Sequence, residues 1–167
     1  MKKIPMLLLL IAPYAFGCFM SYSFGNNANI RAGIILYLAV LLLNMMYAFI
    51  LPRCGFDGEQ ILFWGMLLKL CHVPIYLFIF SIVLLTHVLS ITLIPTLFVF
   101  DYSLLLSSSA YGVCGILNGY KSRKISLITL IANIFAQFIF CIDIFSSIYC
   151  YTKVRKSPKV LIPIGNI

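Results

Sequence analysis

Apolar residues run through this chain in long blocks separated by short polar breaks. They show neither the alternation of a strand nor the single stripe of a soluble helix. Blocks of about 20 apolar residues match the hydrocarbon thickness of a bilayer, so each block predicts a membrane-crossing helix. The first covers residues 4–24, loosened by Pro13 and Gly17; it outruns the apolar core of a removable signal and reads as a retained helix. Gly25-Asn26-Asn27-Ala28-Asn29 carries turn residues, and Arg31 marks a border. The second block, 32–51, contains Asn44 and closes at Pro52-Arg53-Cys54-Gly55.

Asp57-Gly58-Glu59-Gln60 has the spacing of a capping box, with Asp57 as N-cap. A helix from there to Ser90 would be about 50 Å long, more than a bilayer core needs. Pro74 lacks a backbone donor, so a bend is expected near it. The pattern then divides into an interfacial amphipathic half-helix, 59–72, with Trp64, Lys69 and His72 at headgroup level, and a third crossing, 73–90. Ile91-Thr92-Leu93-Ile94-Pro95 reads as a reversal. A fourth crossing runs to Asn118, the basic turn Lys121-Ser122-Arg123-Lys124 follows, and a fifth crossing occupies 125–151. The predicted fold is an all-α integral membrane helical bundle of about five transmembrane helices plus the half-helix. Residues 1–152 form one transmembrane domain, and 153–167 a basic, flexible tail.

Composition sharpens this picture. With 63% hydrophobic and 10% charged residues, and a mean hydropathy of +1.09, the chain lacks the polar surface of a water-soluble domain. A multi-pass protein of the cell membrane is the expectation. The net charge of +8 comes from Lys and Arg at block ends, which suits anionic lipid headgroups at Lys121, Arg123, Lys124 and the tail rather than nucleic acid. Five crossings put the termini on opposite sides. With the N-terminus inside, Lys2, Lys3, Arg53, Lys69, Lys121, Arg123 and Lys124 are inside, against Arg31, Lys153, Arg155, Lys156 and Lys159 outside. That favours N-in, but the basic turn and the basic tail then flank one crossing, so one cluster faces the wrong way.

Candidate chemistry centres on two aspartates within apolar blocks. Asp101 lies 20 residues before Lys121 and Asp143 lies 19 after Lys124. At 1.5 Å per residue an antiparallel pair would hold both at one depth, about 30 Å and 28 Å from the turn. Two readings stand. The carboxyls are polar glue between helices, or they form a proton, cation or substrate site with His87 as a third member. Asn133 and Gln137 share a helix face and predict interhelical amide bonds, with Asn44 as a candidate partner. No acidic group has an evident basic partner inside an apolar block.

Ser108, Gly112, Gly115 and Gly119 fall on the same face as Asp101 and include a GxxxG, a helix-packing seam either within the bundle or toward a second chain. The six cysteines show no paired or metal-binding spacing and read as free thiols; no metal or other cofactor is expected. Asp101 follows Phe100 and Asp143 follows Ile142, so the Tyr-Asp and Gly-x-Gly-Asp signatures of intramembrane aspartyl proteases are missing. Other hydrolase signatures are missing too, and no enzyme is expected.

Leu67-Leu68-Lys69-Leu70-Cys71-His72-Val73-Pro74-Ile75-Tyr76, Asp101-Tyr102, Ser109-Ala110-Tyr111-Gly112 and Phe138-Ile139-Phe140-Cys141-Ile142-Asp143 together give a sequence that resembles a family of small uncharacterised multipass membrane proteins of Gram-positive bacteria. The resemblance implies a bacterial multipass fold and no activity. The functional expectation is a transport-related or accessory protein built around the two carboxylates. Its alternative is a structural subunit that packs on another membrane protein, or on itself, through the small-residue face.

Overall fold

The computed structural model describes residues 4–22, 27–86, 93–139 and 141–157, and every element among them is a helix. They are α1 (Ile4–Tyr22), α2 (Asn27–Ile50), α3 (Gly58–Thr86), α4 (Leu93–Lys121), α5 (Leu127–Ala136) and α6 (Ile142–Lys156), with a single 3-10 turn, Leu51–Cys54, between α2 and α3. Among the described residues three segments are long and apolar enough to cross a membrane: Asn29–Cys54, Gly58–Ser81 and Leu97–Lys121. The apolar part of α1, Ile4–Phe19, is shorter.

The distribution of side chains is compatible with a membrane protein. Ile35, Leu36, Leu42, Leu43 and Met46 of α2 point outward, while Asn44, Lys69, His72, Ser107, Ser108, Ser109 and Asp143 are buried. In lipid the driving force for burial is polar contact and close packing, not removal of leucine from water.

Helices α3 and α4 form the central pair. They run antiparallel at glycine distance: a Cβ on Gly58 would lie 3.2 Å from the Gly119 backbone nitrogen, and one on Gly65 would lie 3.2 Å from that of Gly112. Gly115 meets Leu62 in the same seam. The small-residue face therefore packs within the chain. Helices α1 and α2 flank one side of the pair through a core of Met6, Leu9, Leu41, Leu68 and Tyr111. Near the α1–α2 end the rings of Phe16, Tyr37 and Phe100 stack with centroids 4.5 to 5.5 Å apart.

The predicted interfacial half-helix is not present. Helix α3 runs unbroken through Pro74, and Ile61, Leu62, Leu68, Lys69 and His72 have no exposed surface. Trp64 packs partly buried against the core instead of standing free at an interface. Pro74 is exposed on the helix surface, and in the turn before it the Tyr14 hydroxyl of α1 donates to the Cys71 carbonyl at 2.5 Å. Turn residues at two other places are already helical: Asn27–Asn29 open α2, and Leu93–Pro95 open α4, where a proline in the first turn removes only an unused donor.

The largest departure is the predicted fifth crossing. Residues 125–151 form two antiparallel helices, α5 and α6, that return to the end from which they started. The Lys153 ammonium donates to Thr129 Oγ1 at 3.0 Å, and the Ser157 hydroxyl donates to the Lys124 carbonyl at 3.5 Å. Ser126 caps α5 through the Thr129 N–H. Between the two helices residues 137–139 form turns and Cys141 adopts φ +66°, a region that costs a non-glycine residue about 1–3 kcal/mol. Ile125, Leu130, Cys150 and Val154 bind the hairpin to Leu62 and Ile116 of the central pair. Helix α6 continues through Lys156, with Val154 buried, so residues 153–156 are helical; residues 158–167, with Pro158 and Pro163, lie outside the described residues.

Candidate functional site

A hairpin that stops inside a bundle leaves backbone groups at its tip without helical partners, and in hydrocarbon each must be satisfied by protein. Around this tip the chain supplies them. Ser109 of α4 donates its hydroxyl to the Gln137 carbonyl at 2.6 Å. The ammonium of Lys69 on α3 donates to the Gln137 side-chain oxygen, reaches the Asp143 carbonyl at 3.5 Å, and pairs with the Asp143 carboxylate at 3.2 Å. The Gln137 amide nitrogen donates to Ser146 and Ser147, each at 3.2 Å, and the Ser146 hydroxyl donates to Asn133 Oδ1 at 2.8 Å. Lys69 and Gln137 are 0% exposed and Asp143 is 1% exposed.

The two charges are placed against helix ends of opposite sign. Gln137 is the C-cap of α5, where the dipole presents negative charge to the Lys69 ammonium. Asp143 occupies the first turn of α6, where unpaired N–H groups favour a carboxylate. Gly112 makes room for the assembly, since a Cβ there would strike the Gln137 side chain. The centre also lies deep. Lys69 is 11 residues from Gly58 and 17 from Thr86, and Ser109 is 12 from Lys121 and 16 from Leu93. At 1.5 Å per residue the pair therefore sits about 17 Å from the basic end of α3 and α4 and about 25 Å from their other end.

The predicted pairing of Asp101 with Asp143 is not formed. The seam that sets Gly65 against Gly112 puts Tyr76, not the hairpin, opposite Asp101. Asp101 is eight residues from Ser109, about 12 Å farther from the basic turn than the hairpin tip. The equal-depth expectation assumed one continuous helix after Lys124; α5 rises for only 10 residues before the chain reverses. Asp101 is partly exposed, and its Oδ1 is buried without a hydrogen-bond partner. His87 lies outside the described residues.

The remaining candidates divide. Asn133 and Gln137 do bond between helices, but within the hairpin and to Lys69. Asn44 is not their partner: its Oδ1 accepts from the Tyr111 hydroxyl at 3.2 Å and its amide donates to the Val40 carbonyl at 3.0 Å. Ser108 is buried and donates to the Leu105 carbonyl at 3.1 Å. Gly112, Gly115 and Gly119 line the internal seam. Lys69, expected at an interface, is the residue that sequence reasoning missed. The signal was available in Lys69 and His72 standing mid-way along a block long enough to cross.

Two further features complete the neighbourhood. His72, one turn from Lys69, places Nε2 3.4 Å from the Leu9 carbonyl of α1. An apolar cleft of about 610 Å³ opens among α1 to α4, walled by Phe16, Tyr37, Ile75, Phe78, Phe100 and Ser103, on a side of α3 away from the charged centre. All six cysteines are free thiols. Compared with protein-family models, with curated proteins and with solved structures, the chain matches none.

Proposed function

We propose that this chain is a small transport-type membrane protein in which α1 to α4 cross the bilayer, α5 and α6 form a re-entrant hairpin, and the Lys69–Asp143 pair is an exchangeable ion or proton site. The observation that carries the reading is the pairing of opposite charges, both buried, between a scaffold helix and the tip of a hairpin. Charged groups in hydrocarbon are costly, and where they occur they mark ion and substrate pathways. Re-entrant or broken helices with their ends aimed at a mid-depth site are a recurrent way to build one.

The chemistry is competition. A proton or monovalent cation that binds Asp143 releases Lys69, and an anionic group that binds Lys69 releases Asp143. Either event removes the ion pair between the tip and α3 and weakens the hold of α3 on the hairpin. The hairpin then changes its position by an amount set by the difference in affinity between its two states. Proteoliposomes carrying a pH-sensitive dye, and sodium or potassium tracers, test this directly. Wild-type protein is expected to carry flux above protein-free vesicles, with Asp143→Asn and Lys69→Met each reducing it tenfold or more while remaining folded. Flux unchanged by both substitutions would end the reading.

The topology also accounts for the charges. Arg53, Lys121, Arg123, Lys124, Lys153, Arg155 and Lys156 gather at one end of the bundle, with Arg31 at the other. The conflict between basic turn and basic tail disappears because the hairpin returns both to one side. By the bias of Lys and Arg, that side is cytoplasmic, where the cluster meets anionic headgroups. In a cysteine-free background, Ser122→Cys and Ser157→Cys are expected to react from one side of the membrane and Asn29→Cys from the other. Labelling of Ser122→Cys and Ser157→Cys from opposite sides would restore a full fifth crossing. The alternative, a structural subunit docking through the glycine face, is the less favoured reading because α3 and Gln137 pack against that face.

A further inference from the structure

We propose that the cleft among α1 to α4 binds a neutral, ring-bearing lipophile whose carbonyl oxygen accepts a hydrogen bond from the Tyr37 hydroxyl. The site is separate from the Lys69–Asp143 centre and does not depend on the transport reading. Its wall is apolar and aromatic: Tyr14 and Phe16 of α1, Tyr37 of α2, Phe78 of α3 and Phe100 of α4 line it. Among the described residues no charged side chain does. A charged ligand would lose its hydration there and meet no countercharge, so the ligand is neutral.

Tyr37 supplies the polar contact. It is 5% exposed, and its ring stacks against those of Phe16 and Phe100 with centroids 4.5 and 5.1 Å away. Its hydroxyl oxygen is buried and makes no hydrogen bond among the described residues. The other hydroxyls of the lining are engaged. Ser103 donates to the Phe100 carbonyl at 2.7 Å, and Tyr14 donates to the Cys71 carbonyl at 2.5 Å. A buried tyrosine hydroxyl ordinarily finds a partner, and one left unmet in an apolar site is costly. Lipid tails carry neither donor nor acceptor, so a tail lying in the cleft leaves that cost in place. A carbonyl oxygen removes it.

The shape of the cleft favours a ring over a chain. On α2 and α3 the lining covers residues 34–38 and 74–79, about 6–8 Å of helix rise. That is about half of the roughly 15 Å of hydrocarbon in one leaflet. The volume of about 610 Å³ falls within the roughly 300–1,000 Å³ of small-molecule sites, which combine apolar walls with a few polar groups. A rigid ring can pack offset or edge-on against the aromatic walls. Gly17 also lines the cleft, and a Cβ on it would meet nothing within 4 Å, so a larger side chain there has open space to fill.

Benzophenone, a neutral two-ring ketone that attaches to neighbouring C–H bonds on illumination, is the probe. Its match is 1,1-diphenylethylene, which has a methylene in place of the oxygen. Full-length protein in lipid nanodiscs is photolabelled across a benzophenone series, with diphenylethylene as competitor, and labelled peptides are identified by mass spectrometry. Saturable labelling of the cleft walls is expected. Tyr37→Phe is expected to weaken benzophenone about fivefold, the size of one neutral hydrogen bond, and to leave diphenylethylene unchanged. Gly17→Leu is expected to weaken both tenfold or more, and Leu43→Ala, on the outward face of α2, neither. Without probe, Tyr37→Phe keeps the ring and loses no internal hydrogen bond, so its Tm is expected not to fall. Labelling that never saturates, or that maps elsewhere or survives Gly17→Leu, would mean that the cleft holds lipid tails only. Equal weakening of ketone and alkene by Tyr37→Phe, or a lower Tm in that variant, would remove the hydroxyl as the ligand contact and overturn the proposal. Ion flux enters none of these readouts, so this site and the ion site can fail separately.

Discussion

Asp143→Leu is expected to destabilise the fold by about 3–5 kcal/mol, the cost of stranding one member of a buried ion pair. The Lys69 ammonium would keep the Gln137 side chain and the C-terminal end of α5, but no countercharge. Lys69→Met is expected to fall in the same range, because it leaves the Asp143 carboxylate buried with only its own helix end. The double change Lys69→Met with Asp143→Leu is expected to recover most of the loss, since a buried pair replaced by apolar residues of similar size is often neutral or better. A double-mutant cycle read by reversible unfolding in bicelles measures this. The coupling energy should be of the sign that makes the double variant milder than the sum, and larger than the roughly 0.5–3 kcal/mol span seen for contacting residues, because most of both single losses is cancelled. Losses under about 1 kcal/mol for both single variants, or strict additivity, would mean that the pair does not hold the hairpin. Flux in the double variant separates stability from function: a protein that is folded but inert is what the exchange mechanism requires.

Gly112→Leu is expected to be the next most damaging change, with a loss of about 3 kcal/mol or more, at or beyond the usual range for overpacking. The added side chain would occupy the place of the Gln137 side chain, which bridges Lys69, Ser146 and Ser147. It would also press on Gly65, whose own Cβ position is 3.2 Å from the Gly112 nitrogen, so neither helix can yield without opening the seam. Gly115→Leu strikes Leu62 with a Cβ 2.7 Å from its Cγ, but a flexible side chain can move, and a smaller loss is expected. Gly17→Ala provides the control. Nothing lies within 4 Å of its added methyl, and replacing a helical glycine should leave stability unchanged or raise it by up to about 1 kcal/mol. Thermal unfolding of the four proteins in one detergent ranks them. Equal losses at Gly112 and Gly17 would contradict the packing described.

Much of the architecture was readable because the relevant forces are local. Block length and composition place α2 and the crossing part of α4 within a few residues, because about 20 apolar residues are what a bilayer accepts. The basic turn was legible in its own residues: Arg123 takes φ +57° and the Lys124 N–H returns to the Gly119 carbonyl at 3.0 Å, which ends α4 as the charge run suggests. The common face of Ser108, Gly112, Gly115 and Gly119 followed from helical periodicity alone, and it became an internal seam once α3 supplied Gly58 and Gly65 opposite.

The site was only half legible. Asp143, Asn133 and Gln137 could be singled out as polar residues in an apolar block, since hydrocarbon makes any such residue conspicuous. Lys69 was assigned to an interface because a lysine can snorkel to water from near a helix end. That choice depended on a break at Pro74, which the helix does not make. Asp101 and Asp143 were matched by counting residues from the turn, a measure that holds only while a helix continues. At Gln137 it stops.

The order of residues alone determined that this is an all-helical chain suited to a membrane, with a charged turn after α4 and ionisable groups where lipid tolerates few. Those properties depend on transfer free energy and helical period, which each segment carries by itself. Only the tertiary structure decided that residues 125–151 double back instead of crossing, that Lys69 rather than Asp101 meets Asp143, and that the two basic clusters share one side. An apolar block can satisfy its backbone as one long helix or as a hairpin whose exposed tip is capped by others. The choice rests with Ser109, Gly112 and Lys69, which lie on other helices and supply the donors and the space that the tip needs.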